Sequence, residues 1–269
     1  MKSISSIQNP WIKHLLVLQE KSRVRKKEKL FVFEGLNEIR LCLKAGYNLR
    51  SLIFCETIYP YSRFCNEIQV PGPETEVIAT TPEIFNKLAY RADVVNAIAV
   101  AEMPEHSLLQ LQRVKNPVYL VVESVEKPGN LGALLRTADA AGIDAVLVCN
   151  PATDLYNPNT IRSSVGCVFT VPVAVGSTEE IQSFLEECSC VVFTTIMENA
   201  GSVWEMDFTG AAALVVGTEN SGLSDAWKNP AYTNVNIPMF GAVDSLNVSI
   251  AASLLMYEAR RQRQVRGLK

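Results

Sequence analysis

The most constraining feature of this 269-residue chain is a series of short, uninterrupted apolar runs in its second half. Val118-Tyr119-Leu120-Val121-Val122 offers no polar side chain to either face of a strand, so a strand there must be buried on both faces. Comparable strand signals recur at Ala145–Val148, Val171–Val173, Val191–Thr195, Ala213–Val216 and Val235–Ile237, with helical stretches between them. Alternation of this kind predicts a parallel, doubly wound α/β sheet. Ligands in such sheets bind beyond the C-terminal strand ends. The chemistry is therefore expected in the loops that follow the runs.

Three loops carry candidate residues. The first runs Glu123-Ser124-Val125-Glu126-Lys127-Pro128-Gly129-Asn130-Leu131-Gly132 and leads into a helix bearing Arg136. An Asn-x-Gly before a helix is usually only a cap. An arginine among Leu134, Leu135, Ala138, Ala140 and Ala141 is harder to dismiss, because a charge there needs a partner or a phosphate. The second loop, Gly217-Thr218-Glu219-Asn220-Ser221-Gly222, brackets a carboxylate with two glycines. Gly217 permits close backbone approach to a ligand. The third runs from Ile237 through Pro238, Gly241 and Asp244 into a helix expected from Leu246 to Arg263. Leu246, Ile250, Leu254 or Leu255, and Tyr257 recur at helical spacing and are expected to form its core face. Ser245 and Asn247 sit where free backbone N–H groups begin that helix.

The first hundred residues read as a smaller α/β domain. Asn9-Pro10 caps a helix with Ile12, Leu15, Leu16 and Leu18 on one face. Six basic residues then crowd into Lys21–Lys29, read as a loop running into the strand Phe31-Val32-Phe33. A helix ending near Gly46, strands at Leu52–Cys55, Val77–Ala79 and Ala97–Ala101, and a helix opening at Thr81-Pro82 follow. Domains are placed at 1–104 and 117–269, with a linker at 105–116.

Net charge is −3, yet it is unevenly spread. Residues 1–35 carry +5 and residues 256–269 carry +4, leaving the middle at −12. Basic ends on an acidic body suggest local phosphate contacts, and Arg23, Arg25, Lys26 and Lys27 are the RNA-binding candidates. Solvated helix faces are the competing reading, at even weight for the C-terminal run. No apolar run approaches membrane-spanning length. The lysine-rich start lacks a signal-type apolar core and reads as folded, in a cytoplasmic protein. Seven cysteines without a C-x-x-C pair read as reduced core thiols, with no metal site. The two histidines lie far from the three loops, which argues against a histidine triad.

N-x-G-x-x-x-R-T-A-x-x-x-G, then V-V-G-T-E-N-S-G-L-S, then I-P-M-x-G-x-V-x-S-L-N-V-S-I-A-A closely resemble, in order and spacing, the SpoU/TrmH family of SPOUT-class RNA ribose 2′-O-methyltransferases. The likeness covers roughly residues 117–265. The first hundred residues look like the RNA-binding domain many members carry, itself similar to certain large-subunit ribosomal proteins. The resemblance implies a deep trefoil knot, S-adenosylmethionine (SAM) as cofactor, RNA as substrate, and a homodimer, for which the apolar face of helix 246–258 is a candidate interface as well as core; the two-domain layout favours rRNA over tRNA. It also implies a catalytic set of Arg136, Asn130, Glu219, Ser245 and Asn247. A cofactor set of Thr195, Gly217, Ile237, Met239 and Leu246 follows from the same likeness. Glu126-Lys127-Pro128-Gly129 departs from the polar residues members often carry. A tRNA 2′-O-methyltransferase and an inactive RNA-binding protein of this fold are the alternatives. An ordinary nucleotide-binding enzyme would need a G-x-G-x-x-G after the first strand, which is lacking.

Overall fold

The computed structural model describes residues 2–68, 74–90, 96–218 and 221–268. In chain order the elements are β1 (Lys2–Ile4), α1 (Pro10–Glu20), α2 (Ser22–Glu28), β2 (Leu30–Glu34), α3 (Leu36–Lys44) and β3 (Leu49–Phe54). Then come α4 (Tyr61–Glu67), β4 (Glu76–Thr80), α5 (Pro82–Leu88), β5 (Ile98–Glu102), β6 (Val118–Glu123), α6 (Pro128–Ala141) and β7 (Ala145–Cys149). The rest are α7 (Pro158–Ser163), α8 (Cys167–Thr170), β8 (Val173–Gly176), α9 (Thr178–Glu187), β9 (Val191–Thr194), β10 (Gly201–Ser202), β11 (Ala212–Val216), β12 (Thr233–Asn236) and α10 (Val248–Val265). They form two compact units. One is Met1–Glu105 with Asp154–Thr170; the other is His106–Thr153 with Val171–Lys269.

The first unit holds a five-stranded sheet in the order β1-β4-β3-β5-β2. β1, β4 and β3 are parallel, whereas β5 is antiparallel to both β3 and β2. Asn9 caps α1 by accepting from the Trp11 N–H, which frees Ile12, Leu15 and Leu18 to be buried with Val32, Ile53, Ile78, Ile84 and Ile98. The basic stretch is a helix, α2, and not the expected loop. Its register turns Arg23, Lys26 and Lys27 outward and Arg25 inward.

Asp154–Thr170 lies between two strands of the other sheet in sequence, yet it completes this first core. Tyr156 stacks on Phe31 at 4.3 Å and shares a 3.0 Å hydroxyl–hydroxyl hydrogen bond with Tyr47. Phe169 packs against Phe31, Phe33 and Tyr47.

The second unit is the expected parallel sheet, seven strands in the order β10-β12-β9-β11-β6-β7-β8. β6 is buried along its whole length, as its unbroken apolar run requires. α6 starts with Pro128 in its first turn and stops at Gly142, where φ is +62°. Arg260 then donates to the free carbonyls of Ala141 and Gly142. α9 opens on a capping box of Ser177 and Glu180. From β12 the chain passes through the 237–247 loop into α10, which packs on α6, β11 and β6.

α10 corrects two expectations. Its buried face is Val248, Ala252, Leu255, Met256 and Ala259. Of the face read as core and candidate interface, Leu255 is buried, whereas Leu246, Ile250, Leu254 and Tyr257 are exposed at 36%, 52%, 36% and 51%. The basic run at this end is engaged within the unit. Buried Arg263 donates to the carbonyls of Asn116, Phe208 and Gly210, Arg261 pairs with Glu258, and Arg266 reaches Asp207.

Candidate functional site

Three neighbouring strands, β12, β9 and β11, end side by side, and their C-terminal ends form a cleft of about 220 Å³. Thr195 and Met197 come from beyond β9, Val216, Gly217 and Thr218 from the end of β11, and Ile237 and Met239 from beyond β12. Asp244, Ser245 and Leu246 close it from the loop before α10. All five cofactor candidates, Thr195, Gly217, Ile237, Met239 and Leu246, line this one cavity, as does Ser245.

Each wall has a local cause. Thr195 is fixed by its N–H and hydroxyl, both donating to the Val215 carbonyl at 3.1 Å. Thr218 and Gly222 exchange backbone hydrogen bonds of 3.0 and 3.2 Å, which folds the loop after β11 back on itself. That fold leaves no room for a side chain at 217. A methyl group there would overlap the Gly222 carbonyl and come within 2.6 Å of the Leu223 nitrogen. Gly217→Ala is therefore expected to push the loop out of the cleft and lower cofactor affinity at least tenfold. Calorimetric titration with the cofactor checks this, and unchanged affinity would mean the loop does not form the site.

A buried carboxylate holds the far end of the same loop. Glu123, the last residue of β6, accepts from the Ser224 N–H and hydroxyl, both at 2.8 Å, and from the Thr178 hydroxyl at 3.4 Å. Sequence reading quoted Glu123 but gave it no role. Its signal was a carboxylate closing an otherwise apolar strand. Met197, Thr218 and Asp244 were missed as lining residues, because nothing in their local pattern marks a cavity wall.

Of the catalytic candidates, Asn130 and Asn247 come together across 117 positions of sequence: the Asn247 amide donates to Asn130 Oδ1 at 3.3 Å. Asn247 Oδ1 also caps α10 by accepting from the Ser249 N–H and hydroxyl. A little further along, the Ser253 hydroxyl donates to Thr137 Oγ1 at 3.3 Å, so α10 follows α6 towards Arg136. Arg136 itself is exposed and makes no ion pair or hydrogen bond among the described residues. Of the apolar neighbours that suggested a buried charge, Leu134, Leu135, Ala138 and Ala141 are buried, whereas Ala140, one turn on from Arg136, is exposed with it. Glu219 lies outside the described residues.

The RNA-binding candidates divide. Arg23, Lys26 and Lys27 are exposed on α2. Arg25 is 1% exposed; it pairs with Asp154 at 2.7 Å and donates to the carbonyls of Leu18 and Gln19. It is a structural tie and not a phosphate contact.

Among the described residues, no cysteine or histidine lines the cleft. Burial pushes the Cys149 thiol up to about 11 and the Cys190 thiol up to about 12. Burial also lowers the pKa of His106, which bonds the Val173 carbonyl. Among the described residues, no group of three or more His, Cys, Asp or Glu side chains could hold a metal ion. Arg136 presents a fork of donors without a partner among the described residues.

Comparison with known proteins finds two family models on the chain. The SpoU rRNA Methylase family matches residues 117–257, and an MRM3-like substrate binding domain matches residues 9–99. A 23S rRNA (uridine(2479)-2′-O)-methyltransferase of Streptomyces viridochromogenes is 32% identical over 87% of this chain and 83% of its own length. A 23S rRNA (guanosine(2553)-2′-O)-methyltransferase of Bacillus subtilis (strain 168) is 29% identical over 97% of this chain and its entire length. Among solved structures, the SpoU methyltransferase AviRb from Streptomyces viridochromogenes, in complex with the cofactor AdoMet, matches with a TM-score of 0.86. It is 29% identical and covers 96% of this chain and 99% of its own.

Proposed function

This chain belongs to the SpoU rRNA methylase family, and from that premise we propose how its second unit works. The protein is a SAM-dependent RNA ribose 2′-O-methyltransferase acting on rRNA. The observation that carries this reading is the cleft, where the five cofactor candidates and Ser245 converge.

The lining suits the cofactor. Val216, Ile237, Met239 and Leu246 present an apolar slot to a flat, uncharged ring, and Gly217 leaves its backbone open to that ring's edge. Thr218 and Asp244 supply polar groups for hydroxyl and ammonium functions. When bound, SAM supplies an electrophilic methyl group on a sulfonium that departs as a neutral thioether. The protein's own part is alignment, which is worth roughly 7–11 kcal/mol in favourable cases. Asn130 and Asn247 brace the rim of the cleft against each other, and Ser245 faces into it. A guanidinium is a donor-only cation, so the role of Arg136 is to grip phosphate and stabilise charge, and the 2′-hydroxyl proton passes to solvent water. We assign Glu219 the task of orienting that arginine, as the family resemblance implies.

The exposed stripe Leu246, Ile250, Leu254 and Tyr257 supports a homodimer built on α10. The return of α10 from β12 onto α6 and β11 is compatible with the knot that the family resemblance implies. Among the described residues no helix is long and apolar enough to cross a membrane, and an rRNA substrate supports a cytoplasmic location. Arg23, Lys26 and Lys27 extend the RNA contact onto the first unit.

Tritium transfer from SAM to rRNA lacking its native modifications tests the reaction. Alkali-resistant label in rRNA is the expected result. Tight RNA binding without transfer to any unmodified RNA would instead identify an inactive binding protein. For the dimer, sedimentation velocity should give twice the chain mass, and Ile250→Asp should shift the protein towards the monomer. A monomeric wild type would remove α10 as an interface.

A further inference from the structure

We propose that Tyr90 and Arg162 form a stacking site for an unpaired nucleotide of the substrate RNA. Both residues belong to the first unit. The Arg162 guanidinium lies over the Tyr90 ring at 5.4 Å from its centroid, and the ring remains 54% exposed. Such a pair offers two flat surfaces that a base of any identity can cover, because every base has a π-face. The ring is held from behind. The Tyr90 N–H donates to Glu34 Oε2 at 2.6 Å, fixing the backbone at the exit of α5.

The surroundings select RNA over other aromatic ligands. Gln19, Glu34, Tyr90, Pro158 and Arg162 line one shallow concavity. Gln19 also bridges to the basic helix. Its side chain donates to the Leu88 carbonyl at 2.6 Å, and its own carbonyl accepts from Arg25 at 2.8 Å. The helix that carries the exposed cations Arg23, Lys26 and Lys27 therefore starts after a single residue, Lys21, beyond the helix that supplies Gln19. A base platform beside a cationic helix is the arrangement that grips single-stranded nucleic acid: stacking holds bases and lysines neutralise phosphates. A-form duplex keeps its bases stacked on one another, so the site favours loops and bulges. Arg162 reaches the first unit only because Asp154–Thr170 is folded into it.

This inference rests on RNA being the substrate. The test measures binding without cofactor, by fluorescence anisotropy, on a labelled unstructured RNA and on an RNA duplex of equal length. Tyr90→Ala should weaken binding to the unstructured RNA roughly tenfold, the loss of one base–aromatic stack. Tyr90→Phe should bind like wild type, since the ring is kept. Duplex affinity should be unchanged in both. Lys26→Ala with Lys27→Ala should instead lower the salt dependence on both RNAs. Wild-type affinity in Tyr90→Ala overturns the proposal. So does an equal loss on duplex and unstructured RNA, or a loss in Tyr90→Phe as large as in Tyr90→Ala. Failure of the enzymatic reading would show separately, as absence of tritium transfer by the wild-type protein.

Discussion

Arg136→Ala is expected to cut methyl transfer by at least two to three orders of magnitude, the effect of removing one preorganised charge-stabilising donor. SAM affinity should stay within about twofold, because a change confined to charge stabilisation in the transition state leaves ground-state binding intact. Arg136 does not line the cleft formed by the ends of β9, β11 and β12. Single-turnover tritium transfer and calorimetric titration with SAM measure the two quantities on one preparation. Arg136→Lys separates charge from shape. A lysine keeps the charge but loses the planar fork that binds phosphate through two parallel hydrogen bonds, so it should recover only a small part of the rate. Residual turnover in Arg136→Ala near the wild-type level would take this residue out of the reaction.

The second large effect is on stability. Asp154→Ala leaves the Arg25 guanidinium buried with only two carbonyl acceptors, those of Leu18 and Gln19. Stripping one partner from a buried pair typically costs about 3–5 kcal/mol, far more than the pair contributes over an apolar replacement. For a unit of this size that corresponds to a fall in Tm of roughly 10 °C or more. Arg25→Met should be milder, since it removes the charge along with its demand for a partner. Scanning calorimetry on both variants checks the order. A Tm within about 2 °C of wild type for Asp154→Ala would mean that water reaches Arg25.

The sheet of the second unit was legible because strands buried on both faces must be written in apolar residues, and six such runs are visible. Gly217 and the punctuated loop at 237–247 marked two walls of the cleft, but the cofactor set as a whole came from the family resemblance. What failed did so for definable reasons. A run of six cations has no hydrophobic period, so α2 read as a loop. Nor does a charge run reveal that one member, Arg25, has its partner 129 residues away. α10 carries apolar residues on two faces, and the sequence could not say which of them the unit would bury. Of the stripe read as core and interface, only Leu255 is buried. Arg136 was singled out for sound chemistry through an unsound premise: its neighbours are apolar, but helical geometry turns it away from most of them.

The excursion of Asp154–Thr170 into the first unit has a consequence for how the protein is made. A ribosome delivers the chain from its N-terminus, and all five strands of the first sheet have been synthesised by residue 102. Yet Asp154, Tyr156 and Phe169 arrive only after β6, α6 and β7 have been added. At about 5–20 residues per second that is a wait of several seconds. During it Arg25 lacks its carboxylate and Phe31, Phe33 and Tyr47 lack their cover. The nascent first unit thus presents an aromatic patch to solvent until the next unit has begun to emerge, and that is the interval in which a chaperone would find it.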